Sequence, residues 1–325
     1  MNTTDKVLTI LLREKRYVSG EEISEMIGLS RASVNSAVKS LRRIGYEIDS
    51  VTNKGYMLIS GPDILSLGAI GEYLDDSRLE RVVVLDHTDS TNKVLREMAF
   101  DGASPGTTVI ANEQNAGRGR MGRSFFSPGD CGIYLSYLMK PDTAPSDAVT
   151  VTAWTAVAMV RAIDRVAGIR PNIKWVNDLM FNRLKLCGIL TEMSVESETG
   201  RIASIIIGIG INVKNRTSDF PKELRNIATS LAMASGKRIN RAELAAAMIT
   251  ELDKMSRDWP NKKEEYLAEY READMTCGCE VNVLSGESKR LATAIKINDD
   301  FSLKVRYPDG KKEDLSSGEV SLKVL

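Results

Sequence analysis

"GRGRMGRSFFSP", from Gly117 to Pro128, satisfies two phosphate-binding patterns at once. Gly117, Gly119 and Gly122 spell G-x-G-x-x-G, and Gly117 to Ser124 reads G-x-x-x-x-G-R-S, one residue from a P-loop. A dinucleotide fingerprint needs a strand directly before its first glycine and a helix directly after its last. Here "NEQNA" separates the strand-like "TTVIA" from Gly117, and "RSFFSPGD" brings a Ser127-Pro128-Gly129 turn signal where the helix should start. The P-loop fails on the same flanks and has Arg123 in place of its lysine. Both matches are decoys, and a doubly wound fold loses its main support. What remains is three arginines, Arg118, Arg120 and Arg123, set among glycines. Guanidiniums are permanent cations with forked donors suited to phosphate. Glycines let the backbone flex and approach a ligand closely. Such a loop can order around a phosphorylated ligand and exclude water. The plainer reading is a solvated basic loop.

Around the loop, "RVVVLDH", "TTVIANE", "GIYLSYLM", "IKWVNDLMF", "LCGILTEMSV" and "SIIIGIGINV" read as strands. Helices are predicted at Asn92–Phe100, Ser146–Ala167 and Arg241–Glu269. Several strands follow one another without an intervening helix, which argues for an α+β fold with a mixed or antiparallel sheet over residues 62–271. Residues 1–61 read as three short helices and a hairpin turning at Asn53-Lys54-Gly55, the pattern of a winged helix-turn-helix. Ser30 is a good N-cap for the third helix, whose Val34, Ala37, Val38 and Leu41 fall on one face. Its other face carries Arg31, Ser33, Asn35, Lys39, Arg42 and Arg43, suited to base edges and phosphates. The alternative there is a small helical interaction module. Residues 272–325 show short alternating strands, such as Val281-Asn-Val, Ile295-Lys-Ile, Leu303-Lys-Val and Val320-Ser-Leu, and are expected to form a small SH3-like β-barrel.

Composition narrows the chemistry. A chain of 325 residues with 42% hydrophobic and 27% charged residues suits two or three globular domains. Basic and acidic residues number 44 each, so nucleic-acid binding would need a local patch. Four cysteines do not make a disulfide framework, and scattered thiols with the single His87 offer neither a convincing zinc site nor a Ser-His-Asp set. No stretch reads as an export signal or a membrane span, so the cytoplasm is the expected compartment.

Two further stretches carry polar residues near element ends. "KWVNDLMFNRLKLCGIL" holds Lys174, Asn177, Asp178 and Lys185 around a hairpin, where a lysine could meet an anionic ligand and a carboxylate a metal. An ordinary surface ion pair is the competing reading. "DSTN" opens a helix, with Ser90, Thr91 and Asn92 either capping it or offering polar groups to an amide-like ligand.

Together "DSTN", "NEQNAGRGRMGRSFFSP", "KWVNDLMFNRLKLCGIL" and "GIGINV", in that order, resemble the bifunctional biotin protein ligase/biotin operon repressor family. The resemblance covers nearly the whole chain, to the C-terminal "GEVSL". It implies a catalytic fold similar to class II aminoacyl-tRNA synthetases. It also implies a two-step reaction: biotin and MgATP give biotinyl-5′-adenylate, which a lysine of a biotin carboxyl carrier domain then attacks. By the family pattern, Ser90, Thr91 and Gln114 bond the ureido head of biotin, with Asn92 beside them. Arg118, Gly119 and Arg120 fold over the adenylate, and Lys185 neutralises the carboxylate or phosphoryl oxygen. Asp178 holds Mg²⁺ or orients the reactants, and Asn177 and Asn212 neighbour the adenylate. A ligand-enhanced homodimer binding operator DNA, and repressing genes of biotin synthesis or uptake, is implied as well. Val176 and Phe125 depart from the proline and tryptophan of many relatives. Two alternatives stay open: a ligase whose N-terminal region no longer regulates, and a lipoate-type ligase of the same fold.

Overall fold

The computed structural model describes residues 1–143, 145–285, 288–316 and 319–322. Helices α1 (Thr3–Glu14), α2 (Gly20–Ile27) and α3 (Arg31–Arg43) are followed by a hairpin of β1 (Glu47–Val51) and β2 (Gly55–Ser60). Each helix start is satisfied by a side chain: Asn2, Ser19 and Ser30 accept backbone N–H groups from the first turns. Val34, Ala37, Val38 and Leu41 of α3 are buried against Val7, Leu8 and Leu11 of α1 and Ile23 of α2.

The central sheet has seven strands: β3 (Val82–Thr88), β4 (Thr108–Gln114), β5 (Gly132–Met139), β6 (Asn172–Lys174), β7 (Asp178–Phe181), β8 (Leu184–Val195) and β9 (Ile202–Asn212). Their order is β3-β4-β5-β9-β8-β7-β6. The β3–β4 pair is parallel and the others are antiparallel, the mixed sheet expected. One face packs Ile205, Ile207, Ile209 and Ile211 against the helices Val151–Ala167 and Arg241–Asp258. The other face is covered at one end by the helix Thr91–Phe100, whose Leu95 meets Val109, Leu138 and Ile206. The rest of that face is left for the loop Gly117–Pro128. The expected helix over Arg241–Glu269 is two helices, Arg241–Asp258 and Lys263–Ala273, because Pro260 has no N–H to continue the first.

Residues near the C-terminus do not form the expected barrel. The strands β10 (Glu280–Ser285), β11 (Ser288–Ile297), β12 (Leu303–Arg306), β13 (Lys312–Leu315) and β14 (Glu319–Leu322) make an open sheet of order β13-β12-β11-β10-β14. Among the described residues β13 and β14 do not pair, so nothing closes it. Alternation reports one buried face, whereas closure depends on strand tilt and shear. The buried face packs on the central sheet's end: Trp175 Nε1 donates to Phe301 O at 2.9 Å, and Tyr270 stands edge-on to the Phe301 ring. A bulge between Ala294 and Lys296 shifts the phase of β11, leaving Ile295 exposed while Ile297 is buried. Gly318 of "GEVSL" and residues 323–325 lie outside the described residues.

The N-terminal helices are tied to the stretch from Gly68 to Leu74. Thr9 Oγ1 donates to Gly68 O at 3.0 Å, and Arg13 donates to the Gly71 and Leu74 carbonyls at 2.8 and 2.7 Å. Asp63 sits between Arg241 (3.3 Å), which has no exposed side-chain surface, and Lys214 (2.8 Å). No helix among the described residues is long and apolar enough to cross a membrane.

Candidate active site

Register builds the site. Leu85, Ala111, Tyr134, Gly210, Gly188, Asp178 and Lys174 are successive cross-strand partners across all seven strands, and so share one face. Two of the middle positions are glycine, and there the face has no side chains. The Phe125 ring lies on this bare patch: a Cβ on Gly210 would overlap it, and one on Gly188 would meet it at 3.2 Å. Its edge faces Tyr134, with ring centroids 6.4 Å apart.

The arginine loop is folded over that floor. Gly119 N donates to Arg123 O at 2.7 Å and Phe125 N to Gly117 O at 2.8 Å, so the loop doubles back on itself. No helix follows, and the Arg120–Gly122 stretch is a single 3₁₀ turn. Arg120 Nη1 donates to Asn177 Oδ1 at 3.2 Å, and Asn177 Nδ2 donates to Ile189 O at 2.9 Å. Arg118 is exposed at the rim.

Beneath the loop is a cavity of about 50 Å³, lined among others by Ser90, Thr91, Asn92, Gln114, Arg120 and Lys185. Its far end is polar. Gln114 Oε1 accepts the Thr91 backbone N–H at 2.9 Å and the Thr91 hydroxyl at 3.1 Å, while Gln114 Nε2 donates to Ser127 Oγ at 3.1 Å. Ser90 occupies the N-cap position but makes no side-chain capping bond, and its hydroxyl lines the cavity. The opposite end is cationic. Lys185 Nζ lies 2.6 Å from Asp178 Oδ1, and Lys174 Nζ lies 3.8 Å from Asp178 Oδ2. Lys185 is the close partner of this buried Asp178 Oδ1, which takes no other hydrogen bond. A second space of about 560 Å³ continues beyond Phe125 and Lys185, lined by Phe126, Phe220, Asn212 and Ala228. Asn212 Nδ2 donates to Thr229 O at 3.0 Å, holding that loop against β9.

Nine of the predicted site residues, between Ser90 and Lys185, line the first cavity, whereas Asp178 and Asn212 line the second space. Sequence reasoning missed Ser136, Glu192, Ser127 and the glycine floor. The floor had a signal: Gly208 and Gly210, two apart on a strand, must clear the same face. No thiol serves as a nucleophile here. Cys187 of β8 faces the opposite, buried side, and burial pushes its thiol far up. Among the described residues no cluster of three or more His, Cys, Asp or Glu exists to cage a metal.

The candidate DNA face is also assembled. Arg31, Asn35, Lys39, Arg42 and Arg43 of α3 are exposed, and Ser33 is half-buried against Ser30. Arg42 is tethered: its guanidinium donates to Ile48 O at 2.6 and 3.1 Å and to the Ser50 hydroxyl, bracing the helix against the hairpin. Arg31 pairs loosely with Glu21 at 3.4 Å.

Residues 84–212 match the biotin/lipoate A/B protein ligase family, and residues 3–57 match an HTH domain. A bifunctional ligase/repressor from Bacillus subtilis is 41% identical over 244 residues, 75% of this chain and 74% of that protein. The bifunctional ligase/repressor of Escherichia coli is 30% identical over 99% of this chain and 98% of its own length. A solved biotin protein ligase from Aquifex aeolicus, in complex with biotin and ATP, is 28% identical with a TM-score of 0.63, covering 74% of this chain and 98% of that one. With the HTH match, the ligase match and end-to-end similarity to such relatives, the chain belongs to the bifunctional biotin protein ligase/repressor family.

Proposed function

We propose that the glycine floor, the loop above it and the cations beside it form one site for biotin activation and transfer. The protein is an ATP-dependent biotin protein ligase and a biotin-responsive repressor, in keeping with its family. The observation that carries the site assignment is one cavity with a neutral polar end at Ser90, Thr91 and Gln114 and a cationic end at Lys185 and Arg120. Biotin has matching ends: an uncharged cyclic urea and a carboxylate.

A carboxylate is a poor acyl donor, being anionic and without a good leaving group. In the first step a biotin carboxylate oxygen attacks the α-phosphorus of ATP and pyrophosphate departs. In the second the amine of a carrier-domain lysine attacks the acyl carbon, the C–O bond to AMP breaks, and the amine loses a proton. Lys185 meets the carboxylate and then the phosphoryl oxygen it becomes. Arg118, Gly119 and Arg120 close over the adenylate, and the fixed charges of the two arginines stabilise developing negative charge with water excluded. Asn177 holds Arg120, and Asn212 borders the nucleotide space.

Mg²⁺ fits only as a companion of the nucleotide. Asp178 offers one carboxylate whose buried Oδ1 is already 2.6 Å from Lys185 Nζ, and among the described residues it belongs to no group of three or more metal-ligating side chains. Mg²⁺ commonly enters through one carboxylate and substrate phosphates, and there it neutralises phosphate charge. The same reading puts the α3 face on operator DNA, a carrier domain at the loop, a biotin-enhanced homodimer spanning two half-sites and a cytoplasmic setting. The test is mass spectrometry of a recombinant carrier domain after incubation with the protein, biotin and MgATP. Addition of one biotinyl group is expected. Addition of lipoate but not biotin would overturn the reading.

A further inference from the structure

Behind the neutral end of the cavity runs a chain of polar side chains that reaches no reacting atom: Thr91, Asn92 and Ser136 are buried, and Glu192 at its outer end is half-buried. Glu192 of β8 accepts through Oε2 from Asn92 Nδ2 at 2.7 Å and pairs through Oε1 with Arg96 at 2.8 Å. The Ser136 hydroxyl, fully buried on β5, lies 2.5 Å from Asn92 Oδ1 and 2.7 Å from Thr91 Oγ1, placed to donate to either. The Thr91 hydroxyl donates to Gln114 Oε1.

Donor and acceptor inventories give this chain a direction. A carboxylate only accepts, so Asn92 turns its NH₂ to Glu192 and its oxygen to Ser136. The amide is pressed onto the sheet in that pose, since a Cβ on Gly208 would overlap Asn92 Oδ1. Gln114 Oε1 is an acceptor whatever the ligand, because it already takes a backbone N–H, and it takes the Thr91 proton too. Ser136 has one proton and two oxygens in reach. An Asn92 oxygen anchored toward it draws that proton away from Thr91, whose own proton is shared between Ser136 Oγ at 2.7 Å and Gln114 Oε1 at 3.1 Å. The Thr91 hydroxyl then faces the cavity with a lone pair and no proton to give.

We propose that Glu192 is a positioning residue for ligand recognition: through Asn92 and Ser136 it keeps Thr91 a pure acceptor, selecting a ligand that presents an N–H there. The inference rests on the placement of the biotin head at Thr91 under the proposed function. A cyclic urea supplies that N–H, and an analogue methylated on the ureido nitrogen does not.

The experiment is calorimetric titration of the full chain with biotin and with the N-methylated analogue. Thr91→Val tests the placement itself: unchanged biotin affinity removes the placement and this inference with it. Given a loss in Thr91→Val, Glu192→Leu is expected to weaken biotin about tenfold, one hydrogen bond's worth, while the methylated analogue changes less than about twofold. Glu192→Gln keeps one accepting oxygen for Asn92 and is expected to stay within about threefold of the parent. Adding Ser136→Ala to Glu192→Leu removes the competing proton and is expected to restore biotin binding. Asn92→Ala deletes the competing acceptor directly and carries the same selective loss, so the inference is decided even if Glu192→Leu does not fold. Equal losses for both ligands, no loss for biotin, or no recovery in the double variant would each overturn it.

Discussion

Phe125 and Gly210 exclude each other's side chains: the ring lies where a Cβ on residue 210 would stand. The ring therefore occupies the floor that the proposed function gives to biotin, and on that placement it would lift when the bicyclic ligand enters. Gly210→Ala is expected to destabilise the fold by about 1–3 kcal/mol through overpacking. Phe125→Ala in the same chain should recover that stability, read from denaturant midpoints. Biotin affinity should stay depressed in the double variant, since the methyl group still stands on the floor. Full recovery of binding would mean biotin lies elsewhere.

Arg120 holds Asn177 and the closed loop together. Arg120→Ala is expected to release biotinyl-adenylate about tenfold faster, because one phosphate-facing cation and one loop anchor are both lost. A chase with unlabelled biotin measures this release. Equal half-lives for variant and parent would refute the role.

Lys185 pairs with Asp178, and the proposed function assigns it to the substrate's carboxylate during adenylation. Lys185→Met should lower the rate of biotin-dependent ATP–pyrophosphate exchange by about 100-fold, the scale of losing one positioned charge stabiliser. Its thermal midpoint should fall little, because Lys174 remains beside Asp178. A rate within twofold of the parent's would exclude Lys185 from the step.

On α3, Lys39 is exposed whereas Arg42 is bound to the hairpin. Lys39→Ala should reduce the slope of log K against log salt by about 1 without changing sequence preference. Arg42→Ala should weaken DNA binding by loosening β1 from α3, with a smaller change in that slope. Binding measured at several salt concentrations separates the two, and identical slopes would show that Arg42 also reaches phosphate.

Much of the architecture was open to sequence reasoning because its causes are local. Ser30 announces the start of α3, the α3 apolar stripe announces its buried face, and Ser127-Pro128-Gly129 rules out a helix after the arginine loop. Non-local causes stayed hidden. Ile295 looks like a core residue by alternation, but a bulge turns it outward. Residues of β10 to β14 alternate as a barrel would, yet pairing alone decides closure. Glu192 sits in "LTEMSV" like any half-exposed strand residue, and its partner lies 100 positions away at Asn92. The site residues of "DSTN" and the arginine loop were legible as chemistry, whereas their meeting point depended on strand register.

The Asp63 carboxylate belongs by chain order to the exit from the winged segment, yet it answers a cation rooted in the catalytic body. Arg241 is sealed from solvent and also donates to Asn112, Gly132 O and Asp130. A shortened chain beginning after residue 63 would keep the cation and lose its nearest carboxylate; Asp130 at 3.4 Å remains, so the cost stays below the about 3–5 kcal/mol of a buried charge stripped of every partner. It would also bare the carbonyls of Gly68, Gly71 and Leu74, which α1 now caps. Excising the DNA-binding segment is thus a wound to the enzyme's own scaffold, and the place of the cut decides how deep it goes.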